Sequence, residues 1–174
     1  MAAADLQAKI RDVHDFPKPG IVFKDIMPLL ADADALRETV ELLAEWAEPR
    51  RPDVILGAEA RGFITGGALA CRLGCGFVPA RKPGKLPWRT VSAKYALEYG
   101  FDALEVHADS IIRGQRVLVH DDVLATGGTA RAKCDLVEQL GGEVAGVAFI
   151  ISLEFLNGRD RLEGYDVFSL IQYD

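Results

Sequence analysis

Cysteine is scarce in this 174-residue sequence, and its three copies form no recognisable pair. The count is odd and no Cys-x-x-Cys motif is present, which argues against a disulfide framework and against a zinc site. Cys71, Cys75 and Cys134 are therefore expected to be buried or half-buried free thiols in a reducing compartment.

The sequence also has no excess of positive charge. The net charge is −6 and the pI about 5.1, so a general nucleic-acid-binding surface is not expected. The longest apolar run, Val144 to Leu153, contains Gly146 and Ser152 and is too short to span a bilayer. The N terminus lacks a basic segment followed by an apolar run, which predicts a cytoplasmic protein without a secretory signal.

The common nucleotide-binding fingerprints are absent as well. No Gly-x-x-x-x-Gly-Lys-Ser/Thr motif occurs, and Gly74-Cys75-Gly76 is not followed by the third glycine of a dinucleotide motif. What the chain has instead is the stretch from Val117 to Thr129. Its apolar start predicts a buried strand, two adjacent acids are expected where that strand ends, and a Thr-Gly-Gly-Thr loop then opens a segment with helical spacing.

The loop from Ala125 to Thr129 has the composition of a phosphate cradle. Gly127 and Gly128 let backbone amides approach an anion closely, and the first turn of a helix presents unpaired N–H groups. Thr126 and Thr129 add hydroxyl donors.

The acids Asp121 and Asp122 would repel that phosphate, but they can accept hydrogen bonds from a sugar diol beside it. Phosphate and diol together describe a ribose 5-phosphate. The alternative is a glycine-rich turn whose acids are merely solvated.

A second strand–loop–helix unit precedes this one. A strand is predicted over 53–57, a loop over 59–62 and a helix over 63–73, with Arg61 beside the positive end of the helix dipole. An exposed arginine would be unusual there, so an anion site is favoured over a plain surface residue. The alternation of strands and helices predicts an α/β fold with a mostly parallel sheet, helices on both faces and both anion loops at strand C-terminal ends.

The remaining segments carry weaker local signals. They predict a helix over Leu6–Val13, a strand over Ile21–Ile26, a helix capped by Asp34 and running to about Glu48, an edge strand over Phe77–Ala80, two strands within Val91–Val106, a strand over Glu143–Leu153, a helix or turn over Leu156–Arg161 and a strand over Tyr165–Ile171. Residues 81–89 are rich in lysine, arginine and proline, which indicates either a solvated surface loop or a basic lid over a diphosphate.

The stretch from Val117 to Thr129 resembles the phosphoribosyl-diphosphate-binding motif of type I phosphoribosyltransferases. That family usually has an apolar residue where His120 stands. We expect His120 to be an ordinary buried strand residue; a polar contact is the alternative.

The segment from Pro19 to Ile26 resembles the hood that covers the base in adenine phosphoribosyltransferases. The resemblance implies that Phe23 stacks on the purine and that main-chain groups of Val22 and Lys24 read the adenine edge. Many members carry arginine in place of Lys24 and serine or threonine in place of Met27. The alternative for this segment is an ordinary core strand.

The signature Tyr95 to Gly100 is also similar to that family. Attack by a neutral adenine nitrogen leaves positive charge on the purine, so a base must take a proton. The resemblance assigns this task to Glu98 and a loop-orienting role to Tyr99; by pattern alone, Glu98 would be a solvent-facing strand residue. It also implies that Arg61, Arg81, Lys82 and Lys85 contact the diphosphate.

The resemblance covers nearly the whole chain. It implies a single type I phosphoribosyltransferase domain over 1–174, with the hood in 1–33 and a flexible lid and hairpin in 81–106. The implied reaction is purine salvage: adenine and 5-phosphoribosyl 1-diphosphate give AMP and diphosphate, with Mg²⁺ held mainly by the substrate. A homodimer is also implied, with Arg81 a candidate for acting across the interface.

Three other functions are compatible with parts of the pattern. A 6-oxopurine phosphoribosyltransferase would share the phosphate and ribose motifs. A non-catalytic regulator that binds the same ligands would be expected to lack Glu98 and to carry a basic surface. A generic nucleotide-binding protein of doubly wound fold would be expected to show one of the missing fingerprints.

Overall fold

Strands and helices alternate through most of the chain in the computed structural model, which describes residues 3–96 and 101–174. The strands are Arg11–His14 (β1), Val22–Asp25 (β2), Val54–Ala58 (β3), Gly76–Ala80 (β4), Thr90–Ala96 (β5), Phe101–His107 (β6), Arg116–Leu124 (β7), Glu143–Leu153 (β8) and Val167–Tyr173 (β9). The α-helices are Ala3–Gln7 (α1), Met27–Ala31 (α2), Ala33–Ala47 (α3), Arg61–Leu73 (α4) and Gly128–Gln139 (α5). Short 3-10 helices lie at Glu48–Arg50, Glu154–Leu156 and Gly158–Leu162.

A parallel sheet with the strand order β4-β3-β7-β8-β9 forms the centre of the fold. The predicted parallel sheet is therefore confirmed, and β4, which contains Pro79, lies at its edge as expected. Two antiparallel pairs, β1–β2 and β5–β6, stand apart from this sheet.

The core has two layers because successive residues of a strand face opposite sides of the sheet. Val117 and Val119 of β7 belong to the cluster that includes α5 and the β5–β6 hairpin. Leu118 belongs to the opposite cluster, which includes α3 and α4. The prediction of helices on both faces is thus confirmed. No helix among the described residues has the length and hydropathy needed to cross a membrane.

The N-terminal prediction was wrong in part. The helix ends at Gln7, and Arg11–His14 is a strand that pairs with β2. The pairing brings Arg11 to Asp25 and Lys24 to Asp12 as cross-strand ion pairs, with N–O distances of 2.6 and 2.7 Å. These partners are distant in sequence, so the local pattern could not indicate them.

The predicted cap of α3 was also wrong. Asp32 caps the helix, because its Oδ1 accepts hydrogen bonds from the N–H groups of Asp34 (3.1 Å) and Ala35 (3.0 Å). Asp34 lies inside the first turn and pairs with Arg37 at the surface. Both acids suit a helix start, and only the backbone geometry distinguishes them.

Four smaller expectations also needed correction. Helix α4 begins at Arg61, two residues earlier than predicted, and β9 is Val167–Tyr173 instead of 165–171. Strand β7 continues to Leu124, so Asp121 and Asp122 lie within it, because its pairing with β8 extends to that residue. Cys71 is exposed on the solvent side of α4, whereas Cys75 is half-buried and Cys134 is buried as predicted.

The two candidate caps allow a direct stability test. Asp32→Ala is expected to lower the free energy of unfolding by about 1 kcal/mol or more, because two N–H groups lose their acceptor and Lys9 loses its ion-pair partner. Asp34→Ala, the matched control, removes only an exposed ion pair and should cost less than about 0.5 kcal/mol. Urea unfolding of both variants checks this expectation, and equal losses would contradict the assignment of the cap.

Candidate active site

A cavity of about 390 Å³ opens where β3 and β7 end. Most of the residues singled out from the sequence line it: Val22, Phe23, Lys24, Arg61, Lys82, Asp121, Asp122, Ala125, Thr126, Gly127, Gly128 and Thr129. Arg81 and Lys85 are not among the lining residues, and Glu98 and Tyr99 lie outside the described residues. Most of the residues predicted from the sequence therefore meet in one cavity, although they lie as far apart in the chain as Val22 and Thr129.

The glycine loop packs against Gly158, a residue that sequence reasoning missed. Gly127 has φ +79° and precedes the first residue of α5. A Cβ atom on Gly158 would lie 2.1 Å from the carbonyl oxygen of Ala125, and one on Gly127 would lie 2.3 Å from that of Gly158. Only two glycines allow this approach. No local signal connects Gly158 with a loop about thirty residues earlier.

The two acids of β7 have different partners. Asp121 Oδ2 accepts a hydrogen bond from Lys133 Nζ at 2.8 Å, and its Oδ1 accepts one from the Asp122 N–H at 3.1 Å. Asp122 forms an ion pair with Arg61. Burial raises the pKa of Asp122 to about 6, and the neighbouring Asp121 adds to the rise while Arg61 opposes it.

Lys133 is the second residue that was missed. Its side chain is fully buried, and Nζ also donates to the carbonyl oxygen of His120 at 2.7 Å. Lysine is seldom buried without a partner, so its type argued for a surface position. Its spacing from Leu136 and Val137 on α5 could have indicated that it shares the buried face of the helix.

His120 is a buried residue of β7, as expected, and it also makes the polar contacts that were given as the alternative. Its Nδ1 lies 3.0 Å from the carbonyl oxygen of Ala148, which can only accept. Nε2 therefore accepts from the Thr65 hydroxyl at 2.8 Å. Burial lowers the pKa of His120 to about 4, so the ring is neutral at physiological pH.

Arg61 links the acid pair to the hood. It is the first residue of α4, pairs with Asp122, and lies with its guanidinium carbon 5.2 Å from the centre of the Phe23 ring. Phe23 itself meets Phe16 edge to face at 5.3 Å. The hood strand is anchored by Lys24, whose Nζ lies 4.1 Å from the centre of the Tyr173 ring.

The basic segment is held by carboxylates. Arg81 pairs with Glu59 at 3.0 Å, and Lys82 pairs with Asp102 of the β5–β6 hairpin. Glu59, which was not predicted, also accepts the Lys82 N–H at 2.6 Å; this bond and Arg81 lower the pKa of its carboxyl group. Lys85 is exposed. Arg81 and Lys82 therefore have acidic partners that an anionic ligand can replace.

Comparison with known proteins identifies the family. The phosphoribosyl transferase domain family matches residues 29–172. The chain is 57% identical to adenine phosphoribosyltransferase of Desulfitobacterium hafniense over 99% of its own length and 100% of the relative. It is 59% identical to the adenine phosphoribosyltransferase of Symbiobacterium thermophilum, over 97% and 99% of the two chains.

Solved structures agree with the sequence relatives. The adenine phosphoribosyltransferase of Thermoanaerobacter pseudethanolicus superposes with a TM-score of 0.97 at 53% identity, covering 99% of this chain and 100% of that one. The Saccharomyces cerevisiae enzyme, solved with adenine and an imino-altritol bisphosphate, has a TM-score of 0.93 at 38% identity over 97% of each chain. With its parallel sheet and the cavity at its strand ends, this chain belongs to the type I phosphoribosyltransferase family and, within it, to the adenine phosphoribosyltransferases.

Proposed function

We infer that the chain transfers the 5-phosphoribosyl group of 5-phosphoribosyl 1-diphosphate to adenine, giving AMP and diphosphate in purine salvage. The observation that carries this inference is one cavity lined by a glycine loop, an acid pair and the strand that carries the half-buried Phe23. These features suit a phosphate, a ribose and a base respectively. Two full-length relatives at 57% and 59% identity are adenine phosphoribosyltransferases, which supports adenine as the base.

The 5-phosphate is assigned to the loop from Ala125 to Thr129. Its glycines and the start of α5 offer backbone N–H groups, and Thr126 and Thr129 offer hydroxyls. The ribose hydroxyls then reach Asp121 and Asp122, which accept hydrogen bonds. In this arrangement Arg61 leaves Asp122 when the sugar arrives and its charge becomes available to the departing diphosphate.

Charge must be stabilised on both fragments as the glycosidic bond forms and the diphosphate leaves. Arg61, Arg81, Lys82 and Lys85 are the cations assigned to the diphosphate; Arg81 and Lys82 would exchange Glu59 and Asp102 for it. We assign the magnesium ion mainly to oxygens of the substrate, because Asp121 is already bonded to Lys133 and Asp122 to Arg61. Mg²⁺ supplies charge neutralisation at the diphosphate oxygens, which are the hard ligands it prefers.

The base is assigned to the hood. Phe23 is half-buried beside the cavity and offers a ring face for stacking, and the main chain of Val22 and Lys24 offers polar groups for the adenine edge. We assign to Glu98 the removal of a proton from the purine, and to Tyr99 the orientation of the loop. Both assignments rest on the resemblance, since these residues lie outside the described part of the chain.

The proposal extends to the whole protein. We assign residues 1–174 to one domain, with the hood in 1–33 and the lid and hairpin in 81–106. Exposed large apolar side chains, Trp88 (64%) and Phe101 (79%) among them, support association into a homodimer. Free thiols at all cysteine positions support a cytoplasmic location.

A single assay tests the reaction. Purified protein with magnesium and 5-phosphoribosyl 1-diphosphate should convert adenine to AMP, whereas hypoxanthine and guanine should react far more slowly. Product formation is measured by chromatography of the nucleotides. Efficient use of hypoxanthine or guanine would favour a 6-oxopurine enzyme, and binding of the ligands without turnover would favour a regulator.

The role of Glu98 is tested by Glu98→Gln. We expect kcat to fall about a hundredfold or more, because the variant cannot take a proton, while the affinity for AMP changes little. Glu163→Gln, which alters an exposed glutamate of the same charge, is the control. Steady-state kinetics and calorimetric binding of AMP give the two readouts, and equal losses in both would remove Glu98 from catalysis.

The support of the phosphate loop is tested by Gly158→Ala. The added methyl group would overlap the Ala125 carbonyl, so we expect KM for 5-phosphoribosyl 1-diphosphate to rise about tenfold, with a stability loss of about 1–3 kcal/mol. Gly67→Ala on α4 meets no atom within 4 Å and should keep the wild-type KM. An unchanged KM in folded Gly158→Ala protein would show that the loop does not depend on this contact.

A further inference from the structure

We propose that Lys133 is the positioning residue of the ribose site: its ammonium group pairs with the Asp121 carboxylate and holds it in one orientation, ready to accept a ribose hydroxyl. The proposal rests on the function inferred above, because it assigns the sugar to the acid pair. It adds a residue to that site that does not line the cavity and is not in the sequence motif.

The burial of Lys133 is the first argument. Its side chain is 0% exposed, and Nζ has two acceptors, the His120 carbonyl oxygen at 2.7 Å and Asp121 Oδ2 at 2.8 Å. Removing an ammonium group from water costs several kcal/mol unless a counter-charge and hydrogen bonds compensate. A lysine placed there therefore depends on the Asp121 carboxylate as its counter-charge.

The second argument is that Asp121 is constrained on both oxygens. Oδ2 is bonded to Lys133 and Oδ1 to the Asp122 N–H. The backbone of Gly62 also lies so close that a Cβ atom there would be 2.6 Å from Oδ1. Each carboxylate oxygen still has capacity for a further hydrogen bond, so a ribose hydroxyl can be accepted without rotation of the group.

The third argument is the contrast with Asp122. Its partner, Arg61, has a side chain that is 39% exposed and can move toward a ligand, whereas Lys133 is enclosed. Two adjacent carboxylates cannot both remain ionised in a buried site without compensating charge. Lys133 supplies a permanent charge to Asp121, and Arg61 supplies an exchangeable one to Asp122. His120, which also lies beside Lys133, is neutral.

A purely structural role for Lys133 makes a different prediction. If its bond to the His120 carbonyl only fastened α5 to β7, removing it would loosen the whole site. Every ligand would then bind more weakly by a similar factor, whether or not it carries ribose hydroxyls.

The test compares AMP with 2′,3′-dideoxy-AMP, which lacks the diol, by isothermal titration calorimetry. Wild-type protein should prefer AMP, because hydroxyl groups donate to charged acceptors. In Lys133→Met, an unbranched and uncharged replacement, we expect this preference to fall about fivefold or more while the affinity for 2′,3′-dideoxy-AMP stays near wild type. Arg131→Met on the same helix removes the same charge from a surface pair with Asp135 and should keep the preference.

Two other outcomes overturn the proposal. A preference that Lys133→Met retains, even with weaker binding overall, shows a structural role only. If wild-type protein does not distinguish the two nucleotides, the assignment of ribose to the acid pair fails as well. If Lys133→Met does not fold, Lys133→Gln keeps a donor for the His120 carbonyl without the charge, and the same loss of preference is expected.

Discussion

The parallel pairing of β3 with β7 is the constraint on which the site depends. It aligns Gly57 with His120, so the helix that follows β3 begins beside the acids of β7. Parallel strands end at the same edge of a sheet, which brings two strand–loop–helix units together there. Arg61 from one unit can then pair with Asp122 from the other. The β5–β6 hairpin and the β2 strand complete the cavity from outside the sheet.

The protein is acidic overall but binds ligands that we assign as anions, so compensation has to be local. Arg61, Arg81 and Lys82 each pair with a carboxylate in or beside the cavity. Each pair positions its cation and neutralises the charge of the carboxylate. An incoming phosphate or diphosphate can replace that carboxylate. Lys133 differs because it is enclosed, pairs with Asp121 and does not line the cavity.

Close packing fixes the loops as firmly as charge does. Gly158 and Gly127 let the phosphate loop touch a 3-10 helix, and Gly62 leaves just enough room for the Asp121 carboxylate. A side chain at any of these positions would displace the loop backbone or the Asp121 carboxylate at the cavity. The glycines therefore set distances within the site that hydrogen bonds alone would leave variable.

The sequence by itself determined the parallel α/β fold, the buried strand over Glu143–Leu153 and the glycine loop that opens α5, because apolar runs, turn residues and the glycine motif are local signals. Tertiary structure alone decided that Arg11–His14 is a strand, that β7 continues through the acids, and that Glu59, Lys133 and Gly158 belong to the site. Their roles come from partners distant in the chain. Lysine is usually exposed, so its type indicated a surface position for Lys133, and only the fold places the Asp121 carboxylate beside it.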